Sequence, residues 1–253
     1  MKRRANQTDI LKHVEKLFAE HGKKLQNLQA KILSQIQYAE KLNFAQNESL
    51  HWLIKRLNLR YSLPPTRGWS MSPDILLRLH EYIMFAKPKK IVELGSGVST
   101  IVICDALRQN GSGLLYSIDH LEQFGKQTLQ NIKKESLEKF VDLRIAPLEL
   151  WRSKHLHSDK KSVFWYQKKC IGDIQDIDLL IVDGPPGHTC PFARYPAMPA
   201  FYGRLSLNAQ IWMDDTNRDE EKEICKTWVD KYNLNVEYFP LEKGSCILTK
   251  KLQ

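Results

Sequence analysis

The stretch IVELGSGVST, residues 91–100, constrains the fold more than any other. An apolar run of strand composition enters Gly95-Ser96-Gly97 and passes at once into a helix-forming run. Glycines let a backbone approach a ligand closely, and the helix start behind them offers unpaired N–H groups. The same grammar continues downstream. GLLYSID, VDLRIAP, IDLLIVDGPPG and AQIWMDD read as further strands, and TIVICDALRQN, EQFGKQTLQNIKKESL, AFYGRLSL and EEKEICKTWVDKYN as helices. The final NVEYFPLEKGSCILTK reads as two antiparallel strands around Glu242-Lys243-Gly244. Alternating strands and helices imply a mostly parallel sheet with helices on both faces, whose ligands sit at the carboxyl ends of the strands.

Two acids narrow the ligand. Glu93 lies two residues before Gly95, and Asp119 ends the second strand, 24 residues after it. A carboxylate at the second position is placed to accept ribose hydroxyls. Ser99 stands where a dinucleotide fingerprint has its last glycine, so the loop is less adapted to a pyrophosphate, and this speaks against a nicotinamide dehydrogenase. Glu93 repels phosphate but suits a cationic amino group reached through backbone or water. A ribonucleoside with an ammonium tail and no phosphate, such as S-adenosylmethionine (SAM), fits both acids.

The Glu-x-Gly-x-Gly loop, the acid after the second strand and the terminal strand pair resemble class I SAM-dependent methyltransferases over about residues 66–253. RGWSMSPD, VELGSGVST, YSIDH, WYQ, IDLLIVDGPPG, RYPAMPAF, MDDTNRDEEKEI and EKGSCIL are similar, in order, to a little-characterised bacterial group of that superfamily. The resemblance implies an α/β, Rossmann-like class I methyltransferase sheet and the cofactor SAM. It assigns Glu93, Gly95, Gly97 and Ser99 to the methionine and ribose side, and Asp119 to the ribose hydroxyls. The turn Ala146-Pro147-Leu148 would lie along the adenine. Trp69 and Ser72 would cover the amino-acid end, with Trp69 alternatively a packing anchor. Ser72-Pro73 reads as a hydroxyl cap and first residue of a helix.

The acceptor side falls on Asp183, which leaves a strand into Gly-Pro-Pro-Gly, and on Asp214 and Asp215, which end the next strand. In catechol-type O-methyltransferases, acids at these strand ends and a following asparagine hold Mg2+, a hard cation that lowers a hydroxyl pKa. Asp183 and Asp215 match those metal positions, while Thr216 replaces the asparagine. A metal-free version uses Asp183 or His188 as base. His120 is a cofactor-rim residue on this reading. Arg194 and Tyr195 are candidates for binding an acidic or sugar-like acceptor; alternatively Arg194 pairs with Asp183 or Asp214. Arg218 and Glu221 form an ion pair three residues apart. DGPPG lacks the aromatic that amine-methylating relatives place after Pro-Pro, which favours O-methylation of a small-molecule or glycan-precursor hydroxyl.

The chain ahead of this domain differs in character. Residues 1–60 carry 12 Lys/Arg against 5 Asp/Glu, most of the overall net charge of +9. Residues 9–57 read as helix, with Leu11, Val14, Phe18, Leu25, Leu28, Ile32, Ala39 and Leu42 on a and d positions of one heptad register. His21 and Gln35 are its polar exceptions, and Gly22 weakens it. The extension, taken as residues 1–60, pairs with a second copy as a coiled coil, folds back as a hairpin, or packs on the domain. Its charge also suits RNA, an acidic membrane surface or an acidic partner, or is simply a solvated face. SDKKSVFWYQKK mixes lysines with Trp165 and Tyr166, yet no RNA-binding module is recognisable, so nucleic acid is the weaker expectation. A catalytically inactive binding protein of this fold is a further alternative. Five scattered cysteines, no apolar run behind the basic start and no run approaching ~18 apolar residues point to a reduced, cytoplasmic setting without a membrane span.

Overall fold

The computed structural model describes the backbone of residues 2–153, 156 and 162–251, with side chains from residue 10 onward. The lysines at 160 and 161 in SDKKSVFWYQKK lie outside the described residues. The chain divides into two compact units, Met1–Asn47 and Glu48–Gln253.

The first unit is helix. Helix α1, Lys2–Arg56, runs without a turn through Gly22, which overturns the hairpin reading. Every described side chain from residue 10 to 41 is exposed, including Leu11, Phe18, Leu25 and Leu28 of the heptad stripe. None of the described helices is long and apolar enough to cross a membrane.

The second unit opens with the last turns of α1, where Leu53 is fully buried. Two buried acids then hold the chain that follows. The Asn58 N–H donates to Asp105, and the Arg60 and Tyr61 N–H groups donate to the two oxygens of Glu135 at 2.7 and 2.9 Å. Helix α2, Pro73–Ala86, starts at a proline whose missing N–H costs nothing in the first turn. Ser72 sits at the cap position, but its hydroxyl donates to Asp74 instead of accepting from the helix backbone.

The sheet follows: β1 Lys90–Leu94, α3 Val98–Asn110, β2 Leu114–Asp119, α4 Glu122–Lys134 and β3 Val141–Ile145. A separate antiparallel pair, β4 Leu148–Leu150 with β5 Phe164–Tyr166, comes next. Then come β6 Ile177–Val182, α5 Ala197–Phe201, β7 Leu205–Asp214, α6 Asp219–Tyr232, β8 Leu234–Phe239 and β9 Ser245–Lys250. Seven strands form one sheet in the order β3-β2-β1-β6-β7-β9-β8, parallel except that β9 runs antiparallel to both its neighbours. This is the expected Rossmann-like methyltransferase sheet with its terminal antiparallel pair.

The AFYGRLSL segment departs from its helical reading. The helix ends at Phe201, a 3-10 turn covers Tyr202–Arg204, and β7 already begins at Leu205. Hydrogen bonding to β6 from Leu205 onward outweighs the local helical pattern, with a register irregularity between Ile177 and Leu179 absorbing the extra length.

Strand alternation divides the core between the two faces of the sheet. Val92, Leu94, Leu180, Val182, Ile211 and Met213 pack with Trp165, Phe201 and Trp228 on one side. Ile91, Leu179, Ile181 and Trp212 pack with α2, α3 and Leu53 on the other. Strand order reverses between β1 and β6, so their carboxyl ends diverge into a crevice where ligands of such sheets bind.

Candidate functional site

A cavity of about 470 Å³ opens at that crevice. Its floor is the Gly95-Ser96-Gly97 loop, Asp119 borders it at the end of β2, and Asp183 borders it at the end of β6. The loop is drawn across the strand ends by ladder bonds that continue past them. The Gly95 N–H donates to the Ile118 carbonyl at 2.8 Å, and the Asp183 N–H donates to the Leu94 carbonyl at 3.1 Å. Gly95 has φ +99°, and a Cβ there would lie 3.3 Å from the Asp183 carbonyl oxygen, so this turn both needs glycine's conformation and leaves little room for more.

Asp119 ties the loop to β2. Its Oδ2 accepts from the Ser96 N–H at 3.1 Å and hydroxyl at 2.6 Å, and its Oδ1 accepts from the Leu121 N–H at 2.9 Å. A carboxylate has about four acceptor sites, so these three donors leave room for another. His120 lines the same wall, its imidazole pushed toward the neutral form by burial against the opposing pull of Asp119.

Glu93 is fully buried beneath the loop and does not line the cavity. Its Oε2 accepts from Thr100 at 2.6 Å and from Ser117 at 2.8 Å, while Oε1 has no partner among the described residues. The Thr100 hydroxyl accepts in turn from the Gly97 N–H at 2.9 Å, so the acid acts on the loop through a threonine. Burial pushes the Glu93 carboxyl up to about 7, against the nearby hydroxyls that favour its charged form.

Asp183, Asp214 and Asp215 do converge: each offers an oxygen within 4.8 Å of the others. Only Asp183 reaches the cavity. The Arg194 guanidinium, 3% exposed, fills the middle of the group. It donates to Asp215 Oδ2 at 2.7 Å, to Asp183 Oδ1 at 3.2 Å and to the Asp183 and Asp214 carbonyls at 3.1 and 2.9 Å. Arg218 reaches Asp215 Oδ2 from outside at 2.9 Å and lies 3.5 Å from Glu221, the ion pair the sequence suggested. Burial, together with the neighbouring Asp214, raises the Asp183 carboxyl far above the usual carboxylate range. Asp214 is pushed up to about 6 by burial and by Asp215, and neither of its oxygens has a partner among the described residues. These residues as arranged do not fit Mg2+: a guanidinium already bonds two of the three acids, and Thr216 is buried, its N–H bonded to the Gly244 carbonyl.

Several expected site residues lie elsewhere. Tyr195 is buried facing α6, its hydroxyl accepting from Lys231 and its carbonyl from Trp228, so it does not meet a ligand in the cavity. Arg194 is committed to the acids and is not available at the cavity surface. Ser72 and Ala146 are buried and off the lining; the Ala146 N–H continues the ladder to the Asp119 carbonyl at 2.7 Å. Leu121, Phe124 and Gln127 of the loop into α4 and its first turns line that side instead. Gly97, Ser99, Trp69 and His188 do line the cavity, with the Trp69 and His188 rings edge to face at 5.3 Å on its rim. Thr100 and Ser117 were passed over by sequence reasoning, which named Ser96 only as part of the loop and Tyr166 only beside Trp165 in a lysine-rich run. The Tyr166 hydroxyl is buried without a described partner, and a Cβ on Gly184 would lie 2.3 Å from it.

A family model described as "Methyltransferase domain" matches residues 92–216. Among solved structures, the SAH-bound methyltransferase PaMTH1 of Podospora anserina shares 15% identity at a TM-score of 0.58, covering 82% of this chain and 88% of that one. An O-methyltransferase from Bacillus cereus in complex with SAH gives 15% and 0.53, with coverages of 81% and 90%. The O-methyltransferase TomG of Streptomyces achromogenes, involved in tomaymycin synthesis and solved in complex with SAM, gives 13% and 0.50, with 82% and 90%. No curated protein sequence matches significantly. The chain therefore has the fold of SAM-dependent methyltransferases.

Proposed function

We propose that the protein is a SAM-dependent methyltransferase acting on a hydroxyl of a small-molecule or glycan-precursor acceptor. The observation that carries this reading is the cavity bounded on one side by the glycine loop and Asp119, and on the other by Asp183. The lining suits SAM: a loop that would be crowded by any Cβ at Gly95, and a carboxylate at the ribose position with acceptor capacity to spare. When bound, SAM supplies an electrophilic methyl group on a sulfonium. Asp119 accepts from the ribose, and taking both hydroxyls requires Ser96 to turn its own hydroxyl away. Glu93 shapes the loop from below through Thr100.

Asp183 is our choice of base for the acceptor hydroxyl, with His188, which also lines the cavity, the alternative. Of the three clustered acids Asp183 is the one that borders the cavity, which puts its carboxyl within reach of an acceptor. Trp69 and His188 on the rim position the acceptor, and alignment of acceptor and methyl supplies much of the rate. In the test, SAH formation is measured against a panel of hydroxyl acceptors for wild type and Asp183→Asn. Turnover that falls at least a hundredfold in the variant supports the reading. Unchanged turnover removes Asp183 as base, and SAM binding without turnover of any acceptor favours an inactive binding protein.

The part of helix α1 up to Asn47 is the second element of the proposal, as an extension separable from the catalytic domain. Its apolar stripe keeps one seven-residue register, interrupted at His21 and Gln35, whereas a straight α-helix drifts ~20° per heptad away from such a repeat. A supercoiled helix follows that stripe better than a flat protein surface does, so we infer that α1 pairs with α1 of a second copy. RNA binding that is steeply salt-dependent and lost on deleting residues 1–47 would instead favour an RNA methyltransferase.

A further inference from the structure

We propose that Arg194 is a resident cation occupying the place among Asp183, Asp214 and Asp215 that a divalent metal would need, so that the site works without a metal. For the methyl-transfer step this rests on the function proposed above; for the cluster itself it rests on geometry alone. Three carboxylates from the ends of two adjacent strands, with oxygens within 4.8 Å of one another, have the spacing of a hard-cation site. In this chain the Nη2 atom of Arg194 bonds Asp215 Oδ2 and Asp183 Oδ1 together, and Nη1 holds the Asp214 carbonyl. A metal coordinating the same two carboxylate oxygens would overlap that nitrogen and face its charge at contact distance.

Arg194 also stays charged. Burial opposes its charge, but Asp183, Asp215, Glu221 and Asp214 together more than offset this and hold the proton more tightly than in a free guanidinium. Arg218 supplies a second positive charge at Asp215. Two guanidinium groups thus offset part of the cluster's negative charge from within.

Two consequences follow for the reaction. Asp183 is held at the cavity wall by one guanidinium nitrogen, which meets its Oδ1 at 3.2 Å and its carbonyl at 3.1 Å, and this makes Arg194 a positioning residue for the base. Metal-assisted transfer to a catechol-type acceptor uses two adjacent oxygens to chelate the ion. With a guanidinium buried behind Asp183, the acceptor needs only one hydroxyl within reach of that acid. The acceptor class therefore extends to hydroxyls that have no second oxygen placed to chelate an ion.

The test exchanges the cation. Mn2+ binding is measured by electron paramagnetic resonance and by thermal shift on wild type, Arg194→Ala and Arg194→Lys, after chelator treatment. Wild type and Arg194→Lys are expected to bind no Mn2+ at the cluster, and Arg194→Ala to gain a site at least tenfold tighter than any in wild type. A guanidinium that served only to brace the fold would not convert into a metal site on removal. Specific Mn2+ binding by wild type that is lost in Asp214→Asn overturns the inference, as does a folded Arg194→Ala that gains none. Should Arg194→Ala fail to fold, the wild-type arm decides alone. Activity gives an independent readout: SAH formation by chelated wild type should equal that with added Mg2+, and a tenfold or larger stimulation contradicts a resident cation. An Mn2+ exchange as expected in a protein that binds no SAM would keep the cluster assignment and discard the methyltransferase reading.

Discussion

Glu93→Gln should make the protein more stable at high pH and leave it unchanged at low pH. Glu93 is fully buried, with one oxygen bonded to Thr100 and Ser117 and the other without a described partner. Its carboxyl is raised from 4.5 to about 7 by burial. Because the folded-state value lies above the unfolded one, the folded state binds the extra proton between the two. The associated stability is fully present below pH 4.5 and is lost as the pH rises through 7. At ~1.4 kcal/mol per pH unit separating the two values, the wild type forfeits on the order of 3 kcal/mol by pH 8. Glutamine keeps an oxygen for Thr100 and Ser117 and never ionises. Thermal or urea unfolding of both proteins from pH 5 to pH 8 measures the difference. For a domain of this size ~3 kcal/mol corresponds to a Tm gain of roughly 6–12 °C at pH 8, shrinking toward zero at pH 5. A difference in stability that is the same at every pH would refute the burial argument.

Three further outcomes follow from the same geometry. Gly95→Ala, at φ +99° and 3.3 Å from the Asp183 carbonyl, should lower stability by about 1–2 kcal/mol and weaken SAM binding at least tenfold by calorimetry. Asp214→Asn leaves both Arg194 bonds to carboxylates intact and removes a group pushed up to about 6, so chemical denaturation should show it gaining on wild type as pH rises through 6 and matching it near pH 4. Leu25→Asp with Leu28→Asp, both on the exposed stripe of α1, should convert a dimer to a monomer in light scattering while leaving the thermal transition of the catalytic domain in place.

Those residues also show what was legible before the structure. The strand, glycine loop and helix at residues 91–100 and the acids Asp119 and Asp183 were readable because each sits at a strand end, and a parallel sheet brings strand ends to one edge. The partners of Glu93 were not, because they depend on register. Ser117 is 24 residues away in sequence but directly opposite Glu93 across the β1–β2 pairing. Arg194 was legible only as two alternatives, an acceptor-binding group or a partner of Asp183 or Asp214, and only the placed backbone puts its guanidinium on Asp183 and Asp215. Tyr195, its neighbour, points the other way into α6, a direction that the short irregular stretch before α5 conceals. The β4–β5 pair went unseen because each strand is three residues long, too short for any alternation to register.

The central claim is that the cavity binds SAM with Asp119 at the ribose. Calorimetric titration of wild type and Asp119→Ala with SAM, and separately with SAH, tests it most directly. Micromolar binding by wild type that weakens at least a hundredfold in the variant, with an unchanged unfolding transition, is the predicted result. No binding of either ligand by the wild type would contradict it, and equal binding by both proteins would remove Asp119 from the site.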